Sequence, residues 1–292
     1  MEKVTVMYKE ANGCQIYADI YKCQSERSTA AILYFHGGGF IFGTREWLTK
    51  EQILLFHQSG FHVISLDYRL APEVKLHEII EDLRDAVVWF KHQASQLLGC
   101  DTIRFAVMGS SAGAYASLMI GTMRELAPAA IVSFYGYGSI TEDWIAQPST
   151  YYSSLPTIDR QKAIAALSER PISESGWRRY AYYQYCRQKG SWIEEVTGEK
   201  FDKNKPWQDK FNPIELVHPD YPPTLLLHGT QDTDVPYEQS QLMHNQLLKS
   251  GISSQLVTIE GAGHGFDVDF STAQVQSAYQ EVIRFLNRYL KS

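Results

Sequence analysis

Cysteine is scarce in this chain and forms no pattern: four residues in 292, Cys14, Cys23, Cys100 and Cys186, with neither Cys-x-x-Cys nor a mixed His/Cys spacing. Free thiols are the expectation, rather than a disulfide framework or a thiolate metal site. Long apolar runs are missing too, and the opening MEKVTVMYKEANG has no apolar core of the signal-peptide kind. A cytoplasmic location without membrane contact is therefore expected. Positive charge is not in excess: 27 Lys and Arg against 33 Asp and Glu leave a net charge of -6. Electrostatics thus give no reason to expect nucleic acid or an anionic membrane as a partner. There is no internal repeat, no low-complexity tract and no His-Glu-x-x-His, and neither metal nor organic cofactor is expected. With 44% hydrophobic and 21% charged residues the composition is that of a soluble globular protein. The length suits one large α/β domain, or one domain carrying an inserted subdomain.

The stretch around which the chain is organised is Val107-Met108-Gly109-Ser110-Ser111-Ala112-Gly113-Ala114. An apolar, β-prone run from Ile103 to Met108 feeds a Gly-x-Ser-x-Gly sequence, and a helix-capable segment from Ala114 to Leu126 follows. Strand, sharp turn, helix is the context in which that motif means a nucleophile elbow. The turn forces its central residue into strained backbone angles, and side chains at the two glycines would collide with the neighbouring strand or helix. The helix behind Ser111 points its amino end at the site, which favours developing negative charge there.

Along the chain, 4–8 and 15–21 are strand-like around Asn12-Gly13, a hairpin signal. Ala30–Phe35 is a continuous apolar run, as in a strand covered on both faces, and it ends at His36-Gly37-Gly38-Gly39-Phe40. Three glycines after a buried strand suggest a fixed nest of backbone donors able to hold an oxyanion. A helix over Trp47–Gln58 and a strand over Val63–Leu66 lead into Asp67-Tyr68-Arg69-Leu70-Ala71-Pro72-Glu73. From His77 to Ala94 an apolar helical stripe is expected to face a sheet, with Glu78, Glu81, Asp82 and Asp85 on its solvated face. Ala130–Tyr135 is a further strand, and the alternation implies a parallel sheet. From Tyr137 to Tyr221 the sequence becomes irregular and rich in Tyr and Trp. It reads as a cap, with short helices around Ala163–Leu167 and Trp177–Gln188, whose rings pack onto the main domain or line a pocket. The sheet pattern resumes with Thr224–Leu227, a helix over Glu238–Lys249, a strand over Gln255–Ile259 and a last amphipathic helix carrying Val275, Tyr279, Val282, Leu286 and Leu290.

Three groups lie just after expected strands, and so at one carboxyl edge: Ser111, an Asp at 232 or 234, and His264 between two glycines. Serine needs a base to take its proton, imidazole suits that role near neutral pH, and a carboxylate holds the imidazole tautomer. Asp232, earlier in its loop, is preferred, and Asp234 is the reserve. His36 is expected to brace the glycine loop.

The motifs HGGGF at 36–40, DYRLAPE at 67–73, GSSAG at 109–113, HGTQD at 228–232 and GHGF at 263–266 occur in one order across nearly the whole chain outside the cap. On these the sequence resembles the α/β-hydrolase fold and, within it, the hormone-sensitive-lipase-like carboxylesterases, most of all their compact bacterial acetyl-esterase and acyl-peptidase-like branch. The resemblance implies a mostly parallel central sheet flanked by helices, a core of residues 1–136 and 222–292, and a cap at 137–221 before the strand leading to the acid. It implies Ser111 as nucleophile, Asp232 as acid, His264 as base, and backbone N–H groups of Gly38, Gly39 and Ala112 for the oxyanion. The DYRLAPE segment is implied to be structural, which keeps Asp67, Arg69 and Glu73 out of the catalytic set. Ser110 and Ala114 depart from the residues that relatives often carry there, an acid and a glycine.

The expected activity is hydrolysis of small esters with short acyl groups, acetyl to butyryl. An amidase or acyl-peptide hydrolase on the same triad is the second reading, and a non-catalytic small-molecule binder on this fold the third. A homodimer is compatible with the sequence.

Overall fold

Asn12 and Gly13 both take positive φ and turn β1 (Lys3–Ala11) back on β2 (Cys14–Tyr21) as an antiparallel hairpin. The computed structural model describes residues 3–24, 30–202 and 206–291. β3 (Ala30–Phe35) is buried along its whole length, as its unbroken apolar run predicts. After it come α1 (Lys50–Gln58), β4 (Phe61–Leu66) and α2 (Leu76–Trp89), the last continuing through a π turn at Phe90–Ala94 into α3 (Ser95–Leu98). α1 begins at a capping box in which Thr49 and Gln52 satisfy each other's backbone N–H groups. β5 (Phe105–Ser110), α4 (Ala112–Gly121) and β6 (Ala130–Phe134) form the centre. Helix α4 is buried on every side and ends at Gly121, and the remainder of the expected helix to Leu126 forms a separate 3-10 turn at Arg124–Leu126.

Between β6 and β7 (Thr224–Gly229) the chain forms only short helices: α5 (Asp143–Ala146), α6 (Thr150–Ser154), α7 (Arg160–Ile164), α8 (Tyr180–Lys189) and α9 (Trp192–Thr197). α10 (Glu238–Lys249), β8 (Ser254–Ile259) and α11 (Ala273–Leu290) complete the fold. The stripe expected on α11, Val275, Tyr279, Val282, Leu286 and Leu290, is buried against the sheet. Each such side chain contributes about 1.5–3 kcal/mol by leaving water.

The eight strands make one sheet in the order β1-β2-β4-β3-β5-β6-β7-β8, antiparallel at the first two pairings and parallel from β4 onward. This is the α/β-hydrolase architecture that the resemblance implied. Register does the positioning. Phe35 pairs with Gly109 and Ser110 with Phe134, so Gly37, Ser111 and Tyr135 emerge side by side at the carboxyl edge.

One expectation needs correction. Asp82 is not on the solvated face of α2 but fully buried, bonded by Arg69 Nε (2.8 Å) and Nη2 (2.9 Å) and paired with Lys9 at 2.6 Å. A helical wheel sees only the helix, whereas these two cations arrive from the loop after β4 and from β1. The DYRLAPE segment is structural throughout: Asp67 pairs with Arg45, Arg69 with Asp82, and Glu73 with Arg179 at 2.6 Å. Among the described residues the cysteines form no disulfide, and no helix is long and apolar enough to cross a membrane.

Candidate active site

Ser111 stands between β5 and α4 with φ 55° and ψ −119°, a conformation that a side chain rarely adopts. Its flanking residues have no room for a side chain: a Cβ on Gly109 would lie 2.2 Å from the carbonyl of Gly113, and one on Gly113 would lie 2.0 Å from the Phe35 oxygen. The elbow is wedged between its own helix and the end of β3. Ala112 opens α4, so its N–H has no acceptor within the helix.

The glycine loop lies alongside. Its carbonyls are turned into the protein: Gly37 O accepts from His36 Nδ1 (2.7 Å), Gly38 O from the N–H groups of Ile41 and Phe42 (3.0 and 3.1 Å), and Gly39 O from the Trp192 indole (2.9 Å). Burial pushes His36 down to about 4, so the ring is neutral, donating from Nδ1 to the loop as a brace. Trp192 belongs to α9, so the segment before β7 helps to set this loop.

On the far side, His264 Nδ1 and Asp232 Oδ2 are 2.7 Å apart. The Asp232 side chain is fully buried; its Oδ1 accepts the N–H groups of Asp234 and Val235 at 2.9 Å each, and its Oδ2 also lies 3.3 Å from His228 Nε2. Burial alone would raise this carboxyl, but His228 and His264 outweigh it and hold it well below the usual range. His264 is shifted the other way. Burial disfavours its charged form, yet the hydrogen bond it donates to Asp232 and the charges of Asp234, Asp232 and Asp267 leave it raised. Asp234, the reserve acid, sits on the opposite side of the ring, 3.9 Å from Nε2.

Several residues here carry no motif. The Tyr135 ring packs on His264 at 4.6 Å between centroids, and its hydroxyl donates to Asp267 Oδ1 at 2.5 Å. Asp267 also accepts from Gln52 (3.1 Å) and Tyr279 (3.3 Å), which ties the histidine loop to α1 and α11. The available signal was positional: Tyr135 ends a central strand, and Asp267 follows His264 by three residues.

Ser111, His264, Gly38, Gly39, Tyr135 and Asp234 line one cavity of about 690 Å³. Its outer wall is aromatic, built from Phe42 and Trp47 beside Tyr152, Trp177, Tyr180 and Tyr183. The Tyr- and Trp-rich segment therefore both packs and lines: Trp192 is buried, whereas Trp177 is 66% exposed at the rim. Among the described residues no group of three His, Cys, Asp or Glu side chains could hold a metal ion.

The fold agrees with comparison to known proteins. A Staphylococcus aureus protein of unknown function shares the fold with a TM-score of 0.79 and 27% identity, over 99% of this chain and 100% of that one. An α/β hydrolase superfamily protein of Enterococcus faecalis gives 0.80 at 24% identity, over 98% and 99%. An esterase of Pyrobaculum calidifontis gives 0.70 at 22%, over 98% and 85%, and shows the fold alone. Among curated sequences the chain is 27% identical to the non-reducing polyketide synthase ausA of Emericella nidulans, across 99% of its own length but only 14% of the synthase. The dienelactone hydrolase family model matches residues 211–290, and the BD-FAE model matches 18–247, from the second strand into α10. A match over that span, on a fold shared end to end with other α/β hydrolases, places the chain in the BD-FAE family of α/β-fold hydrolases.

Proposed function

We propose that the chain is a serine carboxylesterase that cleaves short-chain acyl esters through an acyl-enzyme on Ser111. The observation that carries this reading is the 2.7 Å contact of His264 Nδ1 with buried Asp232, in the cavity that Ser111 lines. A hydrogen on Nδ1, held by Asp232, leaves Nε2 free to take the Ser111 proton. Ser111 Oγ then attacks the ester carbonyl, and the oxyanion is received by the N–H groups of Ala112, Gly38 and Gly39, each worth on the order of a hundredfold or more in rate. Collapse expels the alcohol with the proton from His264, and a water activated by the same nitrogen releases the acid. The ionic environment around His264, raised rather than lowered, matches a base that must accept a proton in the transition state.

The test is hydrolysis of p-nitrophenyl esters from acetate to decanoate by the wild type and Ser111→Ala. Rates that peak at short chains and fall about a thousandfold or more in the variant are expected. Wild-type activity in Ser111→Ala overturns the reading.

A further inference from the structure

Asp234 lines the cavity and takes no part in the proton transfers of the ester mechanism. Asp234 Oδ1 accepts the Tyr183 hydroxyl at 2.8 Å and lies 3.7 Å from Arg187 Nη2. Arg187 is itself fixed: Nη2 donates to the carbonyls of Trp144 (3.2 Å) and Asp234 (3.1 Å), and its guanidinium lies over the Trp144 ring at 5.3 Å and the Tyr152 ring at 5.6 Å. The carboxylate is thus held on one side, with Oδ2 turned toward His264 Nε2 at 3.9 Å. With Nδ1 donating to Asp232, Nε2 carries a lone pair, and two acceptors face one another across the place where a leaving group must take its proton.

From this arrangement we propose that the site also cleaves amides, with Asp234 as a catalytic residue that accepts the hydrogen bond of the scissile N–H. The inference rests on the Ser111, His264 and Asp232 reading above. A leaving atom protonated by Nε2 sits about 3 Å from it, and because Oδ2 is 3.9 Å from Nε2, such an atom on the Asp234 side of the ring is within hydrogen-bond reach of both. An amide nitrogen there has a hydrogen to give, and giving it to Oδ2 turns the nitrogen lone pair toward Nε2 as the tetrahedral intermediate forms. An ester oxygen in the same place offers the carboxylate only lone pairs. The charge therefore favours C–N over C–O cleavage at one site. In the step itself the Ser111 Oγ to carbonyl-carbon bond forms and the Ser111 proton moves to Nε2. The C–N bond then breaks, that proton passes to nitrogen, and the amine leaves with the N–H it brought. Water then releases the acyl group as a carboxylic acid.

The experiment compares p-nitrophenyl acetate, p-nitroacetanilide and the N-methyl derivative of the anilide, with the wild type, Ser111→Ala and Asp234→Ala. Wild type is expected to cleave the anilide in a Ser111-dependent way and to cleave the N-methyl compound at least tenfold more slowly. Asp234→Ala is expected to lower kcat/KM for the anilide at least tenfold more than for the ester. Ser111-dependent cleavage of the ester with none of the anilide overturns this inference alone, as does an equal effect of Asp234→Ala on both substrates. If Asp234→Ala does not fold, wild-type cleavage of the N-methyl compound as fast as the anilide overturns it instead. Loss of all three activities in the wild type overturns the esterase reading as well.

Discussion

The cavity has a floor and a roof made in different ways. The floor is backbone: strand ends in register, an elbow whose flanking glycines would clash at 2.0–2.2 Å with any Cβ, and a loop whose carbonyls are all anchored. The roof is side chain: rings of Phe42, Trp177, Tyr180 and Tyr183 at 5.4–6.5 Å from one another, from nearly buried at Tyr183 to open at Trp177. Floor geometry is fixed by hard contacts that cannot yield, whereas a ring can turn or be replaced by another ring. The floor should therefore be intolerant of small changes and the roof tolerant of larger ones, with Trp192 between them because it reaches from α9 to Gly39.

The strongest test lies in the floor. Asp232→Asn should lower kcat by about a thousandfold or more, since the amide no longer fixes the Nδ1–H tautomer of His264, with thermal unfolding showing that the variant is folded. Gly113→Ala comes next. In an ordinary helix this change stabilises by up to about 1 kcal/mol, but here the added carbon meets the Phe35 oxygen at 2.0 Å. A net loss of about 3 kcal/mol or more, or failure to accumulate as soluble protein, is expected; a rise in Tm breaks the comparison. Trp192→Phe keeps a ring but removes the donor to Gly39 O. Leaving that carbonyl unpaired costs about 1–3 kcal/mol, and kcat should fall about tenfold, in steady-state rates on p-nitrophenyl acetate, with KM changing less. Trp177→Ala, at the exposed rim, should change kcat/KM for acetate esters less than threefold and stability less than about 0.5 kcal/mol.

A pH profile sharpens the same contrast. In the proposed mechanism His264 can serve as the base only when neutral, and the acids around it raise its pKa, so activity should fall as pH drops through a value above the ordinary 6.5. Asp267→Asn removes one of those raising charges, so the acid limb should move to lower pH. A limb that stays in place shows that Asp267 acts on the loop alone, through Tyr135, Gln52 and Tyr279.

Much of the fold was legible because its signals are local. The runs Ala30–Phe35 and Thr224–Leu227, the Asn-Gly turn and the α11 stripe each follow from a period or a turn requirement that a short window contains. The motif residues were legible as a set because each follows a strand, and parallel strands share a carboxyl edge. Asp82 was misplaced because its partners, Arg69 and Lys9, lie on other elements. Tyr135, Asp267 and Gln52 were missed because three separate segments must meet before they form anything.

The sequence by itself determined the element order, the buried strands and the three loops that carry Ser111, Asp232 and His264, since apolar period and small-residue requirements act within a few residues. Only the tertiary structure decided which acid lies against Nδ1 and which against Nε2, what anchors the glycine loop, and which rings line the cavity rather than pack behind it. Those outcomes depend on strand register and on side chains reaching from elements far apart in the chain, and no stretch of sequence contains both ends of such a contact.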